Sequence, residues 1–289
     1  METRQVGLSA RLKGLATILR PINCAMMGFG VFIGEFIAAG GFPPLSSILL
    51  GFFVGFLLTG GTMAINDYYD VEIDRVNAPS RPIPSGTISL REALVFGILL
   101  AAIGLLLAAV TNVQTFVVAL VAFIMMVYYN TAGKRTGFFG NVIVSICVAL
   151  TFTYGGFVVD AVPVILIIFS SLAFFSNLGR EVTKGIADVK GDAVKRVKTI
   201  ALLFGEVAAA WLASAFFILA VVLSVLPVYL RIVSILYVPL IVLSDAGFLC
   251  SSYVLLRDPS PSNAKSVKRR VLIWMLFGLL GFISGSLRI

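Results

Sequence analysis

Half of the acidic residues in this sequence fall in two short stretches. Of its 14 aspartates and glutamates, Asp67, Asp70, Glu72 and Asp74 lie in one, and Glu181, Asp188 and Asp192 in the other. In the first, Asn66, Asp70 and Asp74 recur every fourth residue, so on a helix they share one face at spacings of about 6 Å. The second keeps that spacing through Arg180, Lys184, Asp188 and Asp192, although Gly185 and Gly191 suggest a partly non-helical path. Carboxylates in a row repel one another, and a hard divalent cation that prefers oxygen ligands relieves the cost. Magnesium takes one or two carboxylates, keeps several waters and completes its shell with phosphate oxygens. Two such rows with lysines and arginines among them read as a Mg2+–diphosphate site. The bland alternative is a solvated acidic surface paired with neighbouring Lys and Arg. Two patches of matching spacing argue against it.

These residues need elements to hold them, and the rest of the chain supplies apolar helices. Of 289 residues, 59% are hydrophobic and only 12% charged, against roughly a quarter charged in soluble domains. Mean hydropathy is +1.04. A spanning helix needs about 20 mostly apolar residues, and nine stretches qualify: 21–39, 45–66, 93–110, 113–130, 139–159, 162–179, 207–229, 232–256 and 271–287. They predict an all-α, polytopic membrane bundle of nine transmembrane helices forming a single domain over residues 1–289. Residues 93–110 and 113–130, joined by Thr111-Asn112, predict a tight helical hairpin. The segments 67–92 and 180–206 are long enough to form a cap over the helix ends, and both acidic patches lie in them.

Basic residues set the orientation, because Lys and Arg in short loops stay on the cytoplasmic side. With the N-terminus inside, 20 of the 22 basic residues are internal, Arg4, Lys134 and Arg135 among them, and only Arg231 and Arg288 are external. The expectation is a multi-pass cell-membrane protein with its N-terminus cytoplasmic and its C-terminus external. A net charge of +8 then reads as a surface facing anionic lipid, with nucleic acid a poor alternative. The polar start METRQVGLSARLKG leads into an apolar stretch too long for a signal peptide.

Histidine is absent, which removes the commonest general base and every imidazole metal ligand. Cys24, Cys147 and Cys250 are scattered through apolar runs, so neither a disulfide framework nor a thiolate site is expected. Chemistry must run on carboxylates, cations or an added metal. Lys134 and Arg135 sit at the internal mouth between the fourth and fifth spans, within reach of a diphosphate. Pro79–Gly86 reads as a rigid turn and Ser89-x-x-Glu92 as a capping box. Glu35 and Asp245 fall inside spans, where buried hydrogen-bonding roles are expected.

The stretch NDYYDVEIDRVNAPSRPIPSG resembles the first aspartate-rich motif, NDxxDxxxD, of the UbiA superfamily of intramembrane prenyltransferases, and DVKGD resembles the second, DxxxD. Arg20-Pro21-x-Asn23 and YNTAGKRTGFFGN are further echoes, so the likeness runs along essentially the whole chain. It implies Mg2+ ions bridging both clusters and the diphosphate of an isoprenyl donor. Asn66, Asp70, Asp74, Asp188 and Asp192 would be the metal ligands, with the four aspartates catalytic. Asn66, Lys134, Arg135, Arg180 and Lys184 would face the diphosphate. REVTKGIADVKGD is most similar to members that alkylate geranylgeranylglyceryl phosphate in archaeal ether-lipid synthesis, except that Gly185 and Ala187 replace usual acids. That likeness implies a lipid-like phosphorylated acceptor, whose phosphate would be met by Lys190, Lys195, Arg196 or Lys198. It implies no obligatory protein partner. An aromatic or tetrapyrrole acceptor is the nearer alternative. A secondary transporter is the distant one, since it would carry its polar residues near the membrane midplane.

Overall fold

The computed structural model describes residues 7–194 and 197–287. Arg4, Lys195, Arg196 and Arg288 lie outside the described residues. In chain order the helices are α1 (Leu8–Leu19), α2 (Pro21–Ala39), α3 (Leu45–Tyr69), α4 (Val71–Asn77), α5 (Leu90–Thr111), α6 (Val113–Thr131) and α7 (Phe138–Val158). There follow α8 (Val164–Ala187), α9 (Val189–Val194), α10 (Ile200–Phe204), α11 (Glu206–Ser224), α12 (Leu226–Tyr229), α13 (Tyr237–Arg257) and α14 (Pro261–Ser286). No strand occurs among the described residues.

Eight helices are long and apolar enough to cross a membrane: α2, α3, α5, α6, α7, α8, α11 together with α12, and α13. The ninth expected stretch, 271–287, falls largely in α14, whose preceding residues 261–270 carry Lys265, Lys268, Arg269 and Arg270. Among the differences from the expected bounds, two have tertiary reasons. Helix α13 begins only at Tyr237, because the preceding residues bond to the end of α14 instead, Ser234 N to Gly285 O at 2.9 Å and Ser234 Oγ to Ser284 O at 3.0 Å. Helix α8 runs straight through Gly185 and ends at Ala187, so the break expected near the glycines falls at Asp188.

The chain forms two compact units. The first comprises residues 1–32 and 44–131. Its core is the crossing of α3 and α5, where an added Cβ on Gly61 would meet Gly97 O at 2.8 Å and one on Gly97 would meet Gly61 O at 3.0 Å. Glycine on both sides lets the two backbones touch, the usual device for packing helices in lipid. Helices α5 and α6 form the expected hairpin about Asn112, and Ser89 and Glu92 form the expected capping box at the start of α5. The turn after α4 is held down by Ile83 and Ile88, buried with Ile18, Ala64, Val71 and Ala93.

The second unit comprises residues 33–43 and 132–289. Its centre is α8, packed by α7, α11 and α14, with 67% of its apolar stretch buried. One end of the core is built on Val182, Ile186, Ala213, Phe217 and Val267, the other on Leu166, Phe169, Tyr237 and Phe282. Asp245 takes the expected hydrogen-bonding role, accepting from Ser224 Oγ at 2.6 Å. Glu35 does not: it is fully buried, yet neither carboxyl oxygen has a hydrogen-bond partner among the described residues. Its surroundings on α2 are apolar, and spacing alone could not reveal that.

Candidate active site

The first cluster stands where α3 gives way to α4. Backbone bonds run Asp70 N to Asn66 O at 3.0 Å, Asp74 N to Asp70 O at 2.8 Å and Ala78 N to Asp74 O at 2.9 Å. The four-residue ladder therefore survives the change of helix. Asn66, Asp70 and Asp74 keep one stripe, and Asn66 Nδ2 donates to Asp70 Oδ2 at 3.0 Å. Asp70 itself is the joint, with φ −90° and ψ 3°, in the sparsely used bridge region where active-site residues gather.

The second cluster repeats the design within its own unit. Asp188 N bonds Lys184 O at 2.9 Å and Asp192 N bonds Asp188 O at 3.0 Å, and Asp188 again forms the joint, with φ −106° and ψ 11°. Most of α8 is buried, so its last turn is a rigid mount for this row. Glu181 is buried and takes both neighbouring cations, Arg180 Nη1 to Oε1 at 2.9 Å and Lys184 Nζ to Oε2 at 3.2 Å. Arg180 Nε is buried with no hydrogen-bond partner among the described residues. A buried guanidinium N–H in that condition is costly unless an oxyanion meets it.

Lys134 and Arg135 lie in a 3-10 turn, Gly133–Thr136, of the second unit. Lys198 N donates to Arg135 O at 3.2 Å, and Gly137, at φ +65°, packs directly on the backbone of Lys198. Only glycine combines that dihedral with that approach. Lys134 and Arg135 are thus anchored to the chain that follows the second acidic row, with Arg135 exposed.

Four further residues belong to these clusters and were not among the candidates. Asp67 is buried and paired with Arg20. Arg81, from the turn after α4, bonds Asp74 Oδ2 and lies 3.8 Å from Asp67 Oδ1. Burial works against the charge of Arg81, but the Asp74 bond and the charges of Asp74, Asp67 and Asp70 outweigh it and raise its pKa above the ordinary arginine value. Lys268 of α14 reaches Asp188. Arg20 stands in the Arg20-Pro21-x-Asn23 echo and Arg81 in the first motif stretch, which were the available signals. For Lys268 there was only its place in a basic segment.

The donor set fits magnesium. All five expected ligands offer oxygen, the preference of a hard cation. Among the described residues no three acidic, histidine or cysteine side chains converge tightly enough to hold an ion by themselves.

Apolar spanning helices and two acidic rows at helix joints, each row flanked by cations, describe an intramembrane enzyme for a charged, lipid-soluble substrate. The chain belongs to the UbiA prenyltransferase family, whose profile matches residues 27–279. It is a prenyltransferase and a multi-pass membrane protein. Curated relatives run nearly end to end. The digeranylgeranylglyceryl phosphate synthase of Thermococcus sibiricus is 34% identical over 96% of this chain and 98% of its own, and that of Methanosarcina barkeri is 36% identical over 96% and 100%. Among solved structures, one described as a digeranylgeranylglyceryl phosphate synthase in membranes superposes with a TM-score of 0.87 at 32% identity, covering 96% of this chain and 99% of that one. A UbiA homolog from Archaeoglobus fulgidus bound to GPP and Mg2+ shares the fold, with a TM-score of 0.69 at 20% identity over 93% and 99%.

Proposed function

We propose that this chain transfers a geranylgeranyl group from geranylgeranyl diphosphate to the sn-2 hydroxyl of geranylgeranylglyceryl phosphate and releases diphosphate. The observation that carries this reading is the near full-length identity of 33–36% to several digeranylgeranylglyceryl phosphate synthases. In this reading the whole of residues 1–289 acts as one prenyltransferase domain. Nine helices span the membrane, α14 being the ninth, with the N-terminus cytoplasmic and the C-terminus external. Segments 67–92 and 180–206 then cap the cytoplasmic side.

Asn66, Asp70, Asp74, Asp188 and Asp192 hold Mg2+, directly or through water, in this assignment. Held there, Mg2+ would supply positive charge to the oxygens of the departing diphosphate. Arg180, Lys184, Lys134 and Arg135 supply fixed positive charge for the same oxygens. The orphan Nε of Arg180 supports that role. As the allylic C–O bond breaks, the prenyl carbon becomes electron-deficient and needs dry, π-rich surroundings. The stacked rings Phe138, Phe216 and Phe175, beginning one residue after Gly137, are suited to it. The sn-2 oxygen forms the new C–O bond, and its proton leaves to an aspartate carboxylate or to the released diphosphate. No imidazole is required.

The acceptor carries its own phosphate, and exposed Lys190 and Lys198 beside the second cluster are the described cations offered to it. Purified protein should be given Mg2+ and geranylgeranyl diphosphate with a panel of acceptors. Diether formation on geranylgeranylglyceryl phosphate is expected. Replacing Lys190 or Lys198 should raise KM for that acceptor more than for the donor. Turnover on 4-hydroxybenzoate, homogentisate or a chlorophyllide, with none on the glyceryl phosphate, would discard this acceptor and keep the family.

A further inference from the structure

We infer that Asp67, the second residue of the first acidic motif, is a positioning residue for the metal site: it acts through Arg81 on Asp74. The inference rests on the reading of Asp74 as a magnesium ligand, and it concerns residues that reading leaves unassigned.

Asp67 stands four positions away from no other member of the Asn66–Asp70–Asp74 stripe. It stands three and seven residues before Asp70 and Asp74, which puts it on the Asp74 side of the stripe, and its side chain is only 6% exposed. A buried carboxylate needs paired charge. Asp67 finds it in two arginines from separate parts of the first unit. Arg20 comes from the corner between α1 and α2, where Pro21 disfavours a continuing helix and Arg20 adopts the left-handed region at φ 53°. Arg81 comes from the turn that Ile83 and Ile88 pin to the core.

Arg81 then does something that Arg20 does not. One of its Nη atoms serves Asp67, on α3, and Asp74, on α4. Asp70 is the joint between those two helices, and α4 has only seven residues, tied to the core through Val71 at its start. A guanidinium shared by carboxylates on either side of a joint fixes the angle across it. That sets where Asp74 points relative to Asp70. Arg81 bonds Oδ2 of Asp74, and in the metal reading Oδ1 is the oxygen that would meet the cation. Ligating carboxylates are commonly oriented by such a second partner, and losing it costs roughly 10- to 100-fold in metal affinity. Asp67 would in turn hold Arg81 at the correct height by its charge, and Asn in its place would not.

The test compares Mn2+ binding, read from the free-ion EPR signal during titration of the purified protein, with turnover as a function of Mg2+. The proteins are wild type, D74N, R81Q, D67N and D67N/R81Q. Arg81 is 40% exposed, so R81Q is expected to fold, and thermal unfolding checks every variant. D74N should lose binding, and excess Mg2+ should not restore its turnover. R81Q and D67N should each weaken Mn2+ by about 10-fold or more, recover turnover at high Mg2+, and show no further loss when combined, because one acts through the other. Should D74N lose Mn2+ while R81Q binds it as wild type does, the positioning role is overturned. Independent, multiplying effects in the double variant overturn it as well. If D67N does not fold, R81Q decides the matter by the same comparison. Wild-type binding by D74N would instead overturn the metal reading itself.

Discussion

Lys268 Nζ lies 3.2 Å from Oδ1 and 3.3 Å from Oδ2 of Asp188, a residue 80 positions earlier in the chain. The ammonium sits astride both oxygens, where a divalent cation would also bind. Arg81, by contrast, engages one oxygen of Asp74. The two pairs should therefore respond oppositely to mutation. Lys268→Met is expected to lower the Mg2+ concentration for half-maximal turnover by a few-fold. The pair is partly exposed, so folding stability should change by less than about 1 kcal/mol. A Mg2+ titration of activity beside a thermal melt checks both, and an increased Mg2+ requirement would refute the competition.

Asp70→Asn, Asp74→Asn, Asp188→Asn and Asp192→Asn should each cut turnover by at least about 100-fold, equivalent to roughly 3 kcal/mol of transition-state stabilisation. Each substitution keeps the side-chain volume, so the fold should survive, and only Asp74→Asn, which weakens a largely buried pair with Arg81, should lower the melting temperature measurably. Activity that persists in excess chelator, or four variants near wild type, would remove the metal assignment.

Gly61→Val should destabilise the first unit by about 1–3 kcal/mol, because the added atoms meet the backbone oxygen of Gly97 across the α3–α5 crossing. Gly97→Val should do the same from the other side. Unfolding midpoints in detergent decide it, and the two variants together should fall short of the sum, since they disturb one contact.

Single cysteines placed at residues 40–44 and at the C-terminus of a cysteine-free background should label from outside intact cells. The expectation follows from the 20-to-2 division of basic residues. Labelling only after the cytoplasmic side is opened would reverse the orientation.

The all-helical class, eight of the nine expected spans and the spacing of both acidic rows were legible because each rests on a local pattern. Apolar length announces a spanning helix, and a period of four announces a helical stripe whatever the rest of the chain does. Even the joints at Asp70 and Asp188 leave those stripes intact, since the i to i+4 backbone bonds continue through them. Gly185 did not break the second row because a glycine in a helix signals only reduced preference, and burial of α8 overrode it; the break falls three residues on, at Asp188.

What the sequence by itself determined is that two rows of oxygen-bearing side chains recur at four-residue spacing, and in which elements they stand. Tertiary structure alone decided which charges hold them: Arg20 against Asp67, 47 residues away, Arg81 across the α3–α4 joint, and Lys268 on Asp188. A stripe is fixed by the geometry of one helix, whereas an ion pair is fixed by where a distant turn or helix is packed. Ile83 and Ile88 seat the turn that carries Arg81, and Val267 seats Lys268. Spacing along the chain contains no record of either.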